Sequence, residues 1–222
     1  MTITQDTWIV RLEPRLLLLL CLTILFTGWV KFLFDGSTVY IIDYLFRVIC
    51  LIVVFWCCSL KSLAVFPSRW VRALIFTAIV FFFELTLFQV YRFAQVPEPL
   101  FYNHLFPKLE NTLFLIFDLM VGLALVALSE EIVFRFLFEK LFQHRSWPTS
   151  LLYIVSSIAF GLLHLPQGLA LVAFATATGF VFMFLYRFTR SLWPVIVVHY
   201  LFNLLVFSKA GCEWGVTGCL PV

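Results

Sequence analysis

Apolar runs long enough to cross a bilayer recur seven times along this chain, near residues 14–34, 39–60, 73–95, 113–141, 150–166, 168–188 and 191–208. A membrane-spanning helix needs about 20 such residues. Inside hydrocarbon every backbone N–H and C=O must find its partner within the protein, which leaves helices and closed barrels. Runs of this length select helices. Composition agrees, with 63% hydrophobic and 12% charged residues, against roughly 45–50% and about 25% in ordinary soluble domains. The expected fold is all-α: a polytopic bundle of about seven transmembrane helices. It forms one membrane domain over 1–222, with three helices in 1–112 preceding a four-helix core in 113–208.

Between the runs lie punctuating segments. Lys61–Arg72, with Pro67 and Trp70, reads as interfacial, and 96–111 as the longest loop, holding Pro97, Pro99 and Pro107. Gln143–Thr149 is a short polar turn, and tight turns follow at 166–168 and 189–191. Arg11 and Arg15 ahead of an apolar run resemble a signal peptide, but no small-x-small cleavage site follows, so a retained first helix is expected. A net charge of +3 gives no reason to expect nucleic acid; the cations are topology signals. With the N-terminus inside, the inner side collects Arg11, Arg15, Lys61, Arg69, Arg72, Arg135, Lys140, Arg145, Arg187 and Arg190, and the outer side Lys31, Arg92, Lys108 and Lys209. This bias sets the N-terminus in the cytoplasm, and the absence of targeting signals favours a bacterial inner membrane. Cys21, Cys50, Cys57 and Cys58 lie in apolar runs as small hydrophobes. Cys212 and Cys219 sit in the polar tail, where an oxidising compartment would let them pair.

Within the fourth run, Ser129–Arg135 reads SEEIVFR. An ionisable group at membrane depth costs at least ~2.5–3.5 kcal/mol, so three within six residues need a reason. Glu131 and Arg135 are four apart and neutralise each other on one helix face. Glu130 lies about 100° round the helix and has no such partner in its own segment. It is the candidate catalytic carboxylate.

Two further polar pairs follow: Phe160 and His164 in F-G-L-L-H, and His199 and Asn203 in H-Y-L-F-N. Glu130 precedes Gln143 by 13 residues and His164 follows Ser150 by 14, so a rise of 1.5 Å per residue puts both about 20 Å from the turn between them. His199, nine residues after Arg190, lies roughly 13–14 Å from an inner turn, with Asn203 one turn deeper. Four polar groups on one layer support attack of water on a carbonyl. A carboxylate in an apolar pocket serves as general base near neutral pH, and His with Asn donates to a developing oxyanion. Ser129 points elsewhere on the helix, which argues against a serine nucleophile.

Glu130-Glu131-x-x-x-Arg135, Phe160-x-x-x-His164 and His199-x-x-x-Asn203 resemble, complete and in order, the three motifs of the CPBP family. That family contains the type II CAAX prenyl endopeptidases and the bacteriocin-processing or self-immunity (Abi) proteins. The resemblance covers about 113–208 and implies a glutamate-dependent intramembrane protease. In it Glu130 and His164 activate water, His199 and Asn203 stabilise the oxyanion, and Glu131 and Arg135 support the site. Its substrate would be a membrane-associated protein or peptide: a lipidated or hydrophobic C-terminal segment, a small exported peptide or a sorting signal. Membrane lipids are the other expected partner, and no metal or other cofactor is expected. A zinc enzyme using the glutamate and the histidines is the alternative, although no H-E-x-x-H is present. A non-catalytic immunity protein that acts by binding, and a small transporter with a proton relay, are the remaining readings. Asp43 and Arg47 read as a local pair; Glu84 and Asp118 read as polar contacts or substrate-path residues.

Overall fold

The computed structural model describes residues 28–34, 37–57, 69–94 and 111–208, together with Leu18, Leu22, Ile24, Leu25, Pro67 and Leu109. All its regular structure is helical among these residues. Six helices follow the residues at 28–34: α1 (Thr38–Cys57), α2 (Trp70–Ala94), α3 (Thr112–His144), α4 (Thr149–Leu162), α5 (Leu169–Thr189) and α6 (Trp193–Phe207). Four of them are long and apolar enough to cross a membrane, whereas α4 and α6 are shorter apolar helices of 14 and 15 residues. The outer surface is itself apolar: Trp56, Val71, Phe82 and Leu113 are among many large side chains left exposed, as hydrocarbon solvent requires. The chain is an integral membrane helical bundle.

Local chemistry explains the helix ends. The Asn111 side chain caps α3, accepting from the N–H groups of Leu113 and Phe114 at 2.9 and 3.1 Å. α5 ends at Arg190, which takes the left-handed conformation (φ 56°). Pro194 opens α6, where a missing N–H costs nothing. α4 stops at Leu162, short of the expected 166, because Pro166 has no N–H to donate to the carbonyl of Leu162. A 3-10 turn at Leu165–Gln167 and Gly168 (φ 110°) then redirect the chain into α5. α2 begins at Trp70, so Trp70 and Arg72 form its first turn and do not belong to an interfacial loop. Most of the first expected helix, the loops around 61–66 and 96–108, and the tail with Cys212 and Cys219 lie outside the described residues.

α3 is continuous but not regular. Two π-helical turns, Asp118–Gly122 and Ile132–Leu137, interrupt its α-helix, and such widened turns recur at functional sites. Glu130 and Glu131 sit on the α-helical stretch between them.

α4 and α5 make the closest helix pair, through small residues. A Cβ on Gly161 would stand 2.8 Å from the carbonyl oxygen of Val172, and one on Gly179 would stand 3.0 Å from Cα of Ser157. Close backbone approach of this kind is how membrane helices associate, since lipid supplies no hydrophobic drive between them. α5 also packs on α2 and α6, α6 on α2 and α3, and α3 on α1. The indole N–H of Trp29 donates to the carbonyl of Leu162 at 2.9 Å, tying the end of the preceding segment to α4. The helices and the segment at 28–34 together line a hollow within the bundle.

Candidate active site

Glu130, His164, His199 and Asn203 all line the same cavity of about 190 Å³. α3 delivers Glu130, the end of α4 delivers His164, and α6 delivers His199 and Asn203 one turn apart. Glu130 is 3% exposed, so its charge needs protein partners. The main one comes from α1. Arg47 donates from Nη2 to Oε1 of Glu130 at 2.9 Å, from Nη1 to Oγ of Ser129 at 2.9 Å, and from Nε to Oδ2 of Asp43 at 2.7 Å. Lys31 Nζ donates to the other oxygen of Asp43 at 2.7 Å. Two cations and two carboxylates therefore alternate in one buried, formally neutral chain: Lys31, Asp43, Arg47, Glu130. This removes Lys31 from the set of outer-side topology charges, because it is buried within the bundle. It also gives Ser129 a place: its hydroxyl lies against the same guanidinium as Glu130, and donates to the carbonyl of Val126.

The second oxygen of Glu130 faces His199, with Oε2 3.9 Å from Nε2, beyond hydrogen-bond length. The other face of that ring is anchored: Nδ1 of His199 lies 2.7 Å from Oε1 of Glu131. A carboxylate paired to Arg135 only accepts, so Nδ1 carries the hydrogen and Nε2 is turned to the cavity. Glu131 spends its other oxygen on Arg135, whose Nε donates at 2.8 Å. Glu131 is thus more than the internally neutralised half of a helix pair, because it bridges Arg135 to a histidine 68 residues away.

Arg135 is completely buried, and its two terminal nitrogens have no hydrogen-bond partner among the described residues. Aromatic faces take their place: its guanidinium carbon is 4.8 Å from the centroid of Phe160 and 5.8 Å from that of Phe182. Phe160 also presents its ring edge-on to His164 and His199, with centroids 5.3 and 6.0 Å apart. The first residue of F-G-L-L-H is a packing platform for charges and imidazoles. Nδ1 of His164 lies 3.1 Å from the carbonyl oxygen of Phe160, and since a carbonyl accepts, Nε2 of the neutral ring is left as an acceptor.

Two other buried carboxylates border the arrangement. Glu84 accepts from the hydroxyl of Thr178 at 2.7 Å, and Thr178 lines the cavity while Glu84 stands behind it. Asp118 accepts from the hydroxyl of Tyr44, and both line the cavity. Among the described residues, no three His, Cys, Asp or Glu side chains converge closely enough to hold a metal ion. The rest of the cavity wall is largely apolar, with Phe88, Phe174 and Phe202 set among aliphatic residues such as Leu123 and Leu171. Such a site combines an apolar bed for a hydrophobic chain with a carboxylate and two oriented imidazoles.

Glu131→Gln is expected to separate support from chemistry. The neutral amide has one acceptor oxygen where the carboxylate has two, and it leaves the buried Arg135 without its counter-charge, so thermal stability in detergent should fall. His199 should lose its fixed orientation along with it. A melting temperature equal to that of the parent would contradict this role.

Arg47 and Glu130 are 83 residues apart, so no local spacing links the two. A signal was present: an unpaired carboxylate in one span and an Asp43–Arg47 pair in another imply a cation with hydrogen bonds to spare.

Comparison with known proteins bears on residues 112–205, which match the family model described as type II CAAX prenyl endopeptidase Rce1-like. No curated protein and no solved structure matches the chain.

Proposed function

From the match of residues 112–205 to the type II CAAX prenyl endopeptidases, we propose that this membrane protein is a glutamate-dependent intramembrane protease. In this reading it hydrolyses a peptide bond near the membrane in a lipidated, hydrophobic or C-terminal sorting-signal substrate. The observation that carries it is the shared cavity of Glu130, His164, His199 and Asn203.

Arg47 holds Oε1 of Glu130, leaving Oε2 as the base. Oε2 takes one proton from water as the water oxygen attacks the scissile carbonyl, while Nε2 of His164 accepts a hydrogen bond from the O–H that remains and orients the attack. The carbonyl oxygen becomes an oxyanion, held by the side-chain amide of Asn203 beside the imidazole of His199, which Glu131 fixes through Nδ1. Collapse breaks the C–N bond. The departing amine takes the proton from Glu130, which restores the carboxylate, and the products are an acid and an amine. The apolar wall holds the apolar part of the substrate.

The metal-free form is favoured because Glu130 is already committed to a guanidinium and, among the described residues, the candidate donors do not form a three-ligand group. Purified protein is therefore expected to cleave equally well after treatment with phenanthroline or EDTA; loss of activity restored by zinc would establish the metal-dependent alternative. Substrates are found by comparing the peptides of cells carrying the parent and Glu130→Gln forms. Identical peptide profiles would remove the protease reading and favour a protein that acts by binding.

A further inference from the structure

The cavity is one-ended. Each helix contributes to it from the part nearer one end of the bundle, reaching just past mid-length in α3, at Glu130, and somewhat further in α5. α1 supplies Tyr40 to Arg47 and nothing beyond, α2 supplies Phe88, and α5 reaches no deeper than Phe182. The segment at 28–34 and the turn after α4, with Gln167, lie at this same end. The other half of the bundle is filled. Val133, Phe134, Leu137, Leu152, Met183 and Val195 are at most 1% exposed, so among the described residues the cavity does not continue beneath Glu130 and His199 to the far end.

The two ends also differ in charge. At the closed end, the described residues place Arg69, Arg72, Lys140, Arg145, Arg187 and Arg190 at the start of α2 and around the turns that join α3 to α4 and α5 to α6. At the cavity end, Lys31 is consumed by its buried pair with Asp43. With buried Arg135 and Lys31 set aside, the sequence leaves Arg11, Arg15, Lys61 and these six against Arg92, Lys108 and Lys209, nine against three. Lys and Arg accumulate in cytoplasmic segments because translocating them is unfavourable. The filled end therefore faces the cytoplasm.

We propose that the site is served from the non-cytoplasmic side, and that its substrate is an apolar, membrane-attached segment of an already exported peptide. The inference rests on the protease reading for the word substrate, but its sidedness does not. A substrate entering from the cytoplasm would have to cross the packed layer of Phe134, Leu137, Leu152 and Met183, which has no room for an extended chain. An exported segment meets the apolar wall at its own membrane depth.

The test has two arms. Gln167→Cys places a thiol at the cavity mouth and Gln143→Cys one at the closed-end turn, with the unsubstituted chain setting the background. A membrane-impermeant maleimide is expected to label Gln167→Cys in intact cells and Gln143→Cys only after lysis; any other pattern overturns the sidedness. In the second arm, one apolar reporter segment is anchored either in the outer or in the cytoplasmic leaflet. Cleavage of the exported reporter, lost in Glu130→Gln, is expected, and cleavage of the cytoplasmic reporter alone overturns the proposal. Cleavage of neither ends the protease reading, while the labelling still decides which side the cavity faces.

Discussion

Purified protein carrying Glu130→Gln is expected to lose peptide cleavage by about 10²–10⁴-fold, the usual contribution of a positioned general base, and to keep its fold. The amide has the volume of the carboxylate and its oxygen still accepts from Nη2 of Arg47, so the contact across α1 and α3 survives. What disappears is the capacity to hold a proton at Oε2. Arg47 retains Asp43 as counter-ion, which limits the electrostatic penalty. The checks are cleavage of a substrate found by peptide comparison, and thermal denaturation in detergent alongside the parent. A Glu130→Gln protein as active as the parent would show that the carboxylate is not the base.

Arg47→Met should have the largest effect on stability. It leaves two buried carboxylates, Glu130 and Asp43, facing a single remaining cation, Lys31. Removing one partner of a buried ion pair typically costs about 3–5 kcal/mol, since the other charge stays desolvated and unpaired. Activity should fall with it, because Oε1 of Glu130 loses its anchor. Arg47→Lys keeps the charge but not the fork that reaches Glu130, Ser129 and Asp43 together, so it should recover only part of the loss. The double variant Arg47→Met with Glu130→Gln should be more stable than Arg47→Met alone, because the orphaned charge is gone. A cycle of the four forms measures the coupling. Strict additivity would mean that the guanidinium and the carboxylate do not stabilise one another.

The same residues show how far the linear chain could be read. The helix pattern was legible because bilayer thickness and backbone hydrogen bonding act on consecutive residues. α1, α2, α3 and α5 start and stop within a few positions of the apolar runs. α4 was misjudged at its end, where one proline outweighed a continuing apolar pattern. The grouping of Glu130, His164, His199 and Asn203 followed from helical rise and turn positions, since antiparallel helices with short connections leave little freedom in depth. The pairings within the group did not follow. Glu131 turns to His199, Glu130 to Arg47, Glu84 to Thr178 and Lys31 to Asp43, and each joins helices whose rotation about their own axes no local pattern specifies.

The sequence by itself determined a polytopic helical membrane protein with a carboxylate, two imidazoles and an amide at neighbouring depths, because each of those statements depends on spacing along a helix. Only the tertiary structure decided which charge neutralises which, that the cavity is closed at one end, and that a helix outside the family-matching stretch supplies the cation on Glu130. Those outcomes depend on how helices face one another. In hydrocarbon, that facing is settled by close contacts such as Gly161 against α5 and by the demand that buried polar and charged groups find partners, wherever in the chain these lie.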